Sequence, residues 1–275
     1  MTIIQSIILG IVQGITEFLP VSSSGHLVVV PYLLGWQLNP IAEFVFDVLV
    51  QVATLAAVFT YFWKDIKAIG CAFVNGLIQR KPFADPLARE GWFIFLATIP
   101  AGIFGLGLRK PVEMAFNSVS VTAAFLFVTA GLLLVAERAG LRNRRLETLT
   151  WQDALWIGFF QVMAIFPGVS RSGATIVGGM TRNFQRSAAA RFSFLMSIPI
   201  MLAAGCSALF EMLTAPSLAI LFPTFIPGFI TAAIVGYLAI RWLLRFLSER
   251  PLYVFAAYCA LLGLFVLGLG TFGHL

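Results

Sequence analysis

The chain has 275 residues, 60% hydrophobic and only 11% charged, with a mean hydropathy of +0.94. A soluble domain carries about 25% charged and about 45–50% apolar residues, so this composition excludes an ordinary cytoplasmic globule, a disordered chain and a DNA-binding protein. A net charge of +6 would suggest nucleic acid in a soluble protein; in lipid the same excess marks cytoplasmic loops.

In chain order, residues 1–38 are apolar but lack a basic leader and soon meet Gln13 and Glu17, which argues against a cleaved signal peptide. Pro20 and the run Ser22–His26 break this stretch, so it is expected to form a re-entrant hairpin of two short helices. Three spans of roughly 20 apolar residues follow, at 44–63, 91–108 and 117–136. Residues 151–180, broken by Pro167 and Ser170–Gly173, predict a second re-entrant hairpin, and 192–210, 223–244 and 252–272 predict three more spans. Irregular backbone at membrane depth is tolerated only where protein buries it or where it lines a wet cavity.

Fifteen basic residues fall on one side of this topology: Lys64, Lys67, Arg80, Lys81, Arg89, Arg138, Arg142, Arg144, Arg145, Arg182, Arg186, Arg191, Arg241, Arg245 and Arg250. Arg109 and Lys110 fall on the other. The asymmetry places the fifteen in the cytoplasm, where they serve only to set orientation, and both termini outside. Arg171 belongs to no loop. Cys71, Cys206 and Cys259 are far apart, without a C-x-x-C pair. They make neither a disulfide framework nor a zinc site, and read as buried apolar thiols.

A gap-free shift of 148 residues relates the halves. Gly10 then meets Gly158, Gln13 meets Gln161, Ser22 meets Ser170, Ser24 meets Ser172 and Gly25 meets Gly173. The fold class expected is an all-α polytopic membrane protein forming one integral membrane domain. It comprises two repeats, 1–137 and 138–275, each a re-entrant helical hairpin plus three transmembrane helices. Three spans is an odd number, so the second copy should be inverted, with a site near the midplane where the copies meet.

The repeat fails where Glu17 faces Ile165, Ser23 faces Arg171 and His26 faces Ala174. A charge buried in hydrocarbon costs about 2.5–3.5 kcal/mol on insertion scales, so these polar groups need a use. Arg171 can fork onto phosphate oxygens. Ser170, Ser172 and Thr175 add hydroxyls, while Gly168 and Gly173 let backbone N–H groups approach an anion. The competing readings are a structural ion pair of Arg171 with Glu17 or Asp47, and a helix cap at Ser170–Gly173. In the first copy Ser22, Ser23 and Ser24 lead through Gly25 to His26, a candidate general base or acid. A core histidine bonded to a carbonyl is the alternative. Glu17, one turn after Gln13, could orient His26 or hold a divalent cation. Asp47, one turn before Gln51, is a candidate wet-cavity acid. This set suits phosphoryl transfer.

The segments QGITEFLPVSSSGH and PGVSRSGATIVGG resemble the two signature stretches of bacterial undecaprenyl-diphosphate phosphatases, the bacitracin-resistance protein family. FDVLVQVAT and RFSFLMSIP resemble its flanking helices. The resemblance implies a multi-pass plasma-membrane enzyme whose site opens to the outer face. It would hydrolyse undecaprenyl diphosphate to undecaprenyl phosphate, recycling the carrier for peptidoglycan synthesis and conferring bacitracin resistance. It implies Ser23 as nucleophile, His26 as its acid–base partner, Glu17 as a catalytic or metal-assisting acid and Arg171 as the diphosphate clamp. Ser22, Ser24, Gly25, Ser170, Ser172, Gly173 and Thr175 are the expected substrate contacts. A divalent cation, Mg2+ or Ca2+, is implied, with Glu17, Gln13 and Asp47 as candidate ligands. Many members have a second glutamate where this chain has the neutral Gln13, which puts a two-carboxylate metal site in question. The expected partners are a polyprenyl diphosphate lipid, the bilayer and a second copy in a homodimer, and no nucleic acid.

An inverted-repeat transporter or flippase for a phosphorylated lipid is the rival from fold alone. The Ser23/His26 pair would discriminate, since transport does not require it. A phosphatidic-acid-type phosphatase needs two histidines, and the second here is the penultimate residue, His274.

Overall fold

The computed structural model describes residues 1–116, 118–214 and 222–271. Its regular elements are helices: α1 (Ile3–Thr16), α2 (Ser23–Leu33), α3 (Pro40–Tyr61), α4 (Trp63–Ile78), α5 (Pro86–Gly107), α6 (Arg109–Phe116), α7 (Val119–Arg138), α8 (Trp151–Met163), α9 (Arg171–Thr181), α10 (Arg186–Thr214), α11 (Phe222–Glu249) and α12 (Tyr253–Thr271). Among the described residues α3, α5, α7, α10 and α11 are long and apolar enough to cross a membrane, and α12 contributes a shorter apolar stretch, Tyr253–Leu269. The protein is therefore an all-α, multi-pass membrane protein. Residues 117 and 272, the ends of two predicted spans, lie outside the described residues.

Both expected hairpins are present as helix pairs, α1–α2 and α8–α9. Each opens on a capping box: Thr2 with Gln5 for α1, and Thr150 with Asp153 for α8. The 148-residue shift carries α1 onto 151–164 and α2 onto 171–181, the ranges of α8 and α9 to within one residue. Packing crosses between the copies. Helix α1 seats chiefly on α11, and α8 on α5. The related glycines make both contacts close: a Cβ on Gly10 would lie 2.4 Å from the Gly228 carbonyl oxygen, and one on Gly158 would lie 2.5 Å from that of Ala97. Helices α3 and α10 pack on each other, as do α7 and α12.

Two helices were not expected. The segment 64–91 holds α4, which packs on α5 with Phe73 and Ile69 against Gly91. Its apolar residues alternate with Lys64, Asp65 and Lys67, so it is amphipathic and lacks the continuous run that marks a span. Helix α6 covers Arg109 and Lys110, which were expected in a loop.

Basic residues that were expected only to set orientation make ion pairs within the fold. Buried Asp153 accepts from Arg144 and Arg182, and the Arg144 guanidinium lies 4.3 Å from the centre of the Phe184 ring. Glu137 pairs with Arg186 and Arg142 and accepts from the Leu252 N–H at 2.8 Å. Arg191 pairs with Asp65 at 2.9 Å. These contacts tie helix ends that are distant in sequence. The cysteines also depart from expectation: Cys259 is buried, but Cys71 and Cys206 are exposed. A small apolar thiol facing lipid incurs no hydrophobic penalty, so composition alone does not force it inward.

The core forms around the first hairpin's turn. Fully buried Phe18 meets Phe194 of α10 edge to face, with ring centres 5.3 Å apart, and Phe62 packs beside them. The polar turn is thus held inside the bundle rather than at a surface.

Candidate active site

The residues that the two copies share build two similar turns. Ser22 caps α2, its Oγ accepting from the Gly25 N–H at 3.3 Å and lying 3.3 Å from Ser24 Oγ. Ser170 caps α9 in the same way, with 3.0 Å to the Gly173 N–H and 3.1 Å to Ser172 Oγ. The second turn is further tied down. Thr129 of α7 donates to the Gly168 carbonyl at 2.8 Å and accepts from the Ser170 N–H at 3.0 Å. Gly168 has φ +92°, and a Cβ there would lie 2.2 Å from the Thr122 carbonyl oxygen, so the position requires glycine. Ser172 Oγ donates to the Leu19 carbonyl at 3.1 Å, joining the turns across the copies.

The residues that differ between the copies meet on one carboxylate. Ser23 and Arg171 are each the first residue of their helix, α2 and α9. Ser23 Oγ donates to Glu17 Oε2 at 2.6 Å. Arg171 Nη2 donates to Glu17 Oε1 at 2.7 Å. Gln13 Nε2 donates to Glu17 Oε2 at 2.9 Å from one turn back on α1. Glu17 itself is buried. The second terminal guanidinium nitrogen, Arg171 Nη1, is buried and has no partner among the described residues.

Glu17, Ser23, Ser24, Gln51 and Arg171 line a cavity of about 180 Å³, with Ala164, Val169, Ile200, Met201 and Ala204 as apolar walls. Ser23 and Arg171 thus share one cavity, built from both copies. A hydroxyl on a carboxylate, beside a cation with donors to spare, can pass a proton and hold an anion.

Other expected site residues point elsewhere. His26 does not reach the Ser23 hydroxyl. Its Nδ1 lies 2.7 Å from the Ser22 carbonyl oxygen and its Nε2 lies 2.6 Å from Tyr258 Oη. The expected Ser23/His26 pair is replaced by a Ser23/Glu17 pair, because the turn folds Ser23 back onto the end of α1. Ser22, Gly25, Ser170, Ser172 and Gly173 are spent on the two caps. Thr175 Oγ1 donates to the Arg171 carbonyl at 2.8 Å and lies 2.6 Å from Ser193 Oγ, away from the cavity lining. Asp47 does not line the cavity; Gln51, one turn on, does. Gln13 reaches the site only through Glu17.

Sequence reasoning missed Thr129, Ser193 and Tyr258 as supports of these turns. Each is remote in the chain from its partner, and single polar residues in apolar spans carry no periodic signal. Gln51 was noted only as a neighbour of Asp47. Gln161 repeats Gln13 but has Ile165 where Gln13 has Glu17, and both its amide atoms are buried without partners among the described residues.

The family described as "Bacitracin resistance protein BacA" matches residues 6–265. A Myxococcus xanthus protein named undecaprenyl-diphosphatase is 42% identical over 278 residues, covering 100% of this chain and 91% of its own length. Proteins of the same name from Chlorobaculum tepidum and Thermomicrobium roseum are 43% and 40% identical, each covering 100% of this chain and 99% and 100% of their own lengths. The chain belongs to the bacitracin resistance protein BacA family.

Proposed function

We propose that the chain hydrolyses undecaprenyl diphosphate to undecaprenyl phosphate and inorganic phosphate, with Ser23 as nucleophile, Glu17 as its base and Arg171 as the phosphate clamp. Full-length relatives named undecaprenyl-diphosphatase support the substrate. The single observation that carries the mechanism is the pair of bonds on Glu17, Ser23 Oγ at 2.6 Å and Arg171 Nη2 at 2.7 Å.

The steps follow from these contacts. The terminal phosphate takes the spare Nη1 donor of Arg171, a charge-assisted bond. As Ser23 Oγ bonds to the terminal phosphorus, its proton passes to Glu17 Oε2. The bond from that phosphorus to the bridging oxygen breaks, and undecaprenyl phosphate leaves with the bridging oxygen. Water then attacks the phosphoserine phosphorus, the bond to Ser23 Oγ breaks, Ser23 regains the proton held on Glu17, and both water protons leave with the phosphate as dihydrogen phosphate. Ser24 and Gln51, on the cavity wall, orient the phosphate oxygens and the water. Apolar walls keep competing water few, which strengthens the electrostatic contacts inside.

A divalent cation would be held mainly through the substrate. The described residues contain no cluster of three or more His, Cys, Asp or Glu, so no cage of several carboxylates is present among them. Mg2+ is commonly held by one or two carboxylates plus substrate phosphates. Glu17, which lines the cavity, would be its protein ligand, with the substrate phosphates and water supplying the rest. When bound, such an ion neutralises charge developing on the diphosphate.

The two copies are read as inverted repeats, 1–137 and 138–275, in a bacterial plasma membrane, with the cavity open to the outer face. The one-sided basic residues and the crossed packing of α1 on α11 and α8 on α5 support this arrangement. Recycling of the carrier for peptidoglycan synthesis and resistance to bacitracin follow from the reaction. A flippase would not need the proton route from Ser23 to Glu17.

The test is phosphate release from undecaprenyl diphosphate by the purified chain in detergent. Wild-type protein should release phosphate, and Glu17→Gln should be slower by about 10²–10⁴-fold, the usual contribution of a positioned base. No release by wild-type protein would overturn the reading.

A further inference from the structure

The His26 ring is bonded at both nitrogens, and the carbonyl partner makes Nδ1 a donor. The Ser22 carbonyl oxygen can only accept, so the Nδ1 that lies 2.7 Å from it carries the proton. In the neutral ring Nε2 is then an acceptor, and the Tyr258 hydroxyl 2.6 Å away donates to it. The two rings are nearly parallel, 5° apart, with centres separated by 5.6 Å. Tyr258 lies on α12, with 44% of its surface exposed.

The backbone under this chain of bonds is strained. Ser22 has φ +70°, in the left-handed region that a residue with a side chain rarely adopts, at a cost of about 1–3 kcal/mol. The second copy provides a comparison inside the same molecule. There Ala174 stands in place of His26, and Ser170, the counterpart of Ser22, has an ordinary φ of −71°. The strained serine occurs in the copy that has the imidazole to bond its carbonyl. The next residue after that carbonyl is Ser23.

We propose that His26 and Tyr258 are positioning residues: Tyr258 fixes the His26 ring, and the ring's Nδ1–H clamps the left-handed Ser22 peptide that aims Ser23 Oγ at Glu17. Neither transfers a proton in the reaction. The proposal rests on the hydrolase reading for its kinetic consequence, but the tautomer it assigns does not.

Asparagine separates clamping from acid–base chemistry, because its amide nitrogen can occupy the place of Nδ1 but lacks any counterpart of Nε2. The kcat and KM for phosphate release should be measured for His26→Asn, His26→Ala, Tyr258→Phe and His26→Asn/Tyr258→Phe. Loss of one such hydrogen bond should lower kcat about fivefold to tenfold in Tyr258→Phe, with KM little changed. His26→Ala should lose more than His26→Asn, and adding Tyr258→Phe to His26→Asn should change nothing further. Equal losses in His26→Asn and His26→Ala would overturn the proposal, since a proton-transfer role is abolished by both. So would a wild-type kcat in Tyr258→Phe. A readout independent of activity and of any variant is the 15N spectrum of the imidazole in nanodiscs. The proton on Nδ1 with Nε2 bare supports the proposal, and the proton on Nε2 contradicts it. Absence of phosphate release by wild-type protein would remove the hydrolase reading alone and leave this spectrum to decide the clamp.

Discussion

Ser23 and Arg171 stand at the same position of the two copies, 148 residues apart, and their side chains end on the two oxygens of one carboxylate, Glu17, at 2.6 and 2.7 Å. Positions that stayed alike, such as Ser22 with Ser170 and Gly25 with Gly173, build the turns. Positions that differ, Ser23 and Arg171, are the ones whose side chains meet on Glu17. The site is therefore asymmetric although its scaffold is repeated.

Arg171 pairs with Glu17 and, on the proposed reading, also holds the phosphate; Arg171→Lys should separate the two. Lysine keeps a charge for Glu17 but lacks the second nitrogen of the fork. The KM for the lipid diphosphate should rise about tenfold while thermal unfolding in detergent stays near that of wild type. Arg171→Ala leaves the buried Glu17 charge unpaired, a loss of about 3–5 kcal/mol, so its unfolding temperature should fall as well. A wild-type KM in Arg171→Lys would show that Nη1 does not bind the phosphate.

The crossed packing predicts matched defects in distant helices. Alanine at Gly10 or at Gly158 would drive a Cβ into the carbonyl of Gly228 or Ala97. Both substitutions should destabilise by about 1–3 kcal/mol, as overpacking does, seen as a lower midpoint in thermal unfolding. Gly102→Ala is the control, because nothing lies within 4 Å of a Cβ there. Equal stability of all three variants would contradict the close approach.

Asp153 gives a pH dependence with a definite sign. Burial alone would raise its carboxyl, but hydrogen bonds from Arg144, Arg182 and Thr150 outweigh that and hold it at about 2, below its ordinary 3.8. A folded-state value below the unfolded one contributes stability above the unfolded value, and loses it as pH falls toward the folded one. The stability gap between wild type and Asp153→Asn should therefore be full at neutral pH and close between about pH 4 and pH 2. A gap that is constant over that range would sink the assignment.

Much of the fold was legible because Pro20, Pro167 and the Ser/Gly runs interrupt apolar sequence at related places. The hairpins and the main spans could be read from that pattern, while an ion pair of Arg171 with Glu17 or Asp47 was only the competing reading, and the structure has it with Glu17. Helix α4 could not, since its charges hide it among loop residues. The partner of the Ser23 hydroxyl was also hidden. Helical spacing puts His26 one turn from Ser23, but it does not give the path of the turn that returns Ser23 to Glu17, six residues earlier. Tyr258 lies 232 residues from His26, and no local pattern joins them. The readings of His26 as a carbonyl-bonded histidine and of Ser170–Gly173 as a helix cap match the observed geometry.

The most direct test of the Ser23–Glu17 assignment is rapid quenching of wild-type protein with undecaprenyl diphosphate labelled in its terminal phosphate, followed by mass spectrometry of the peptide containing Ser23. Label should appear on Ser23 before free phosphate accumulates, and should be absent from Ser23→Ala, which should release almost none. Phosphate release by Ser23→Ala at the wild-type rate, with no label on the wild-type peptide, would contradict it.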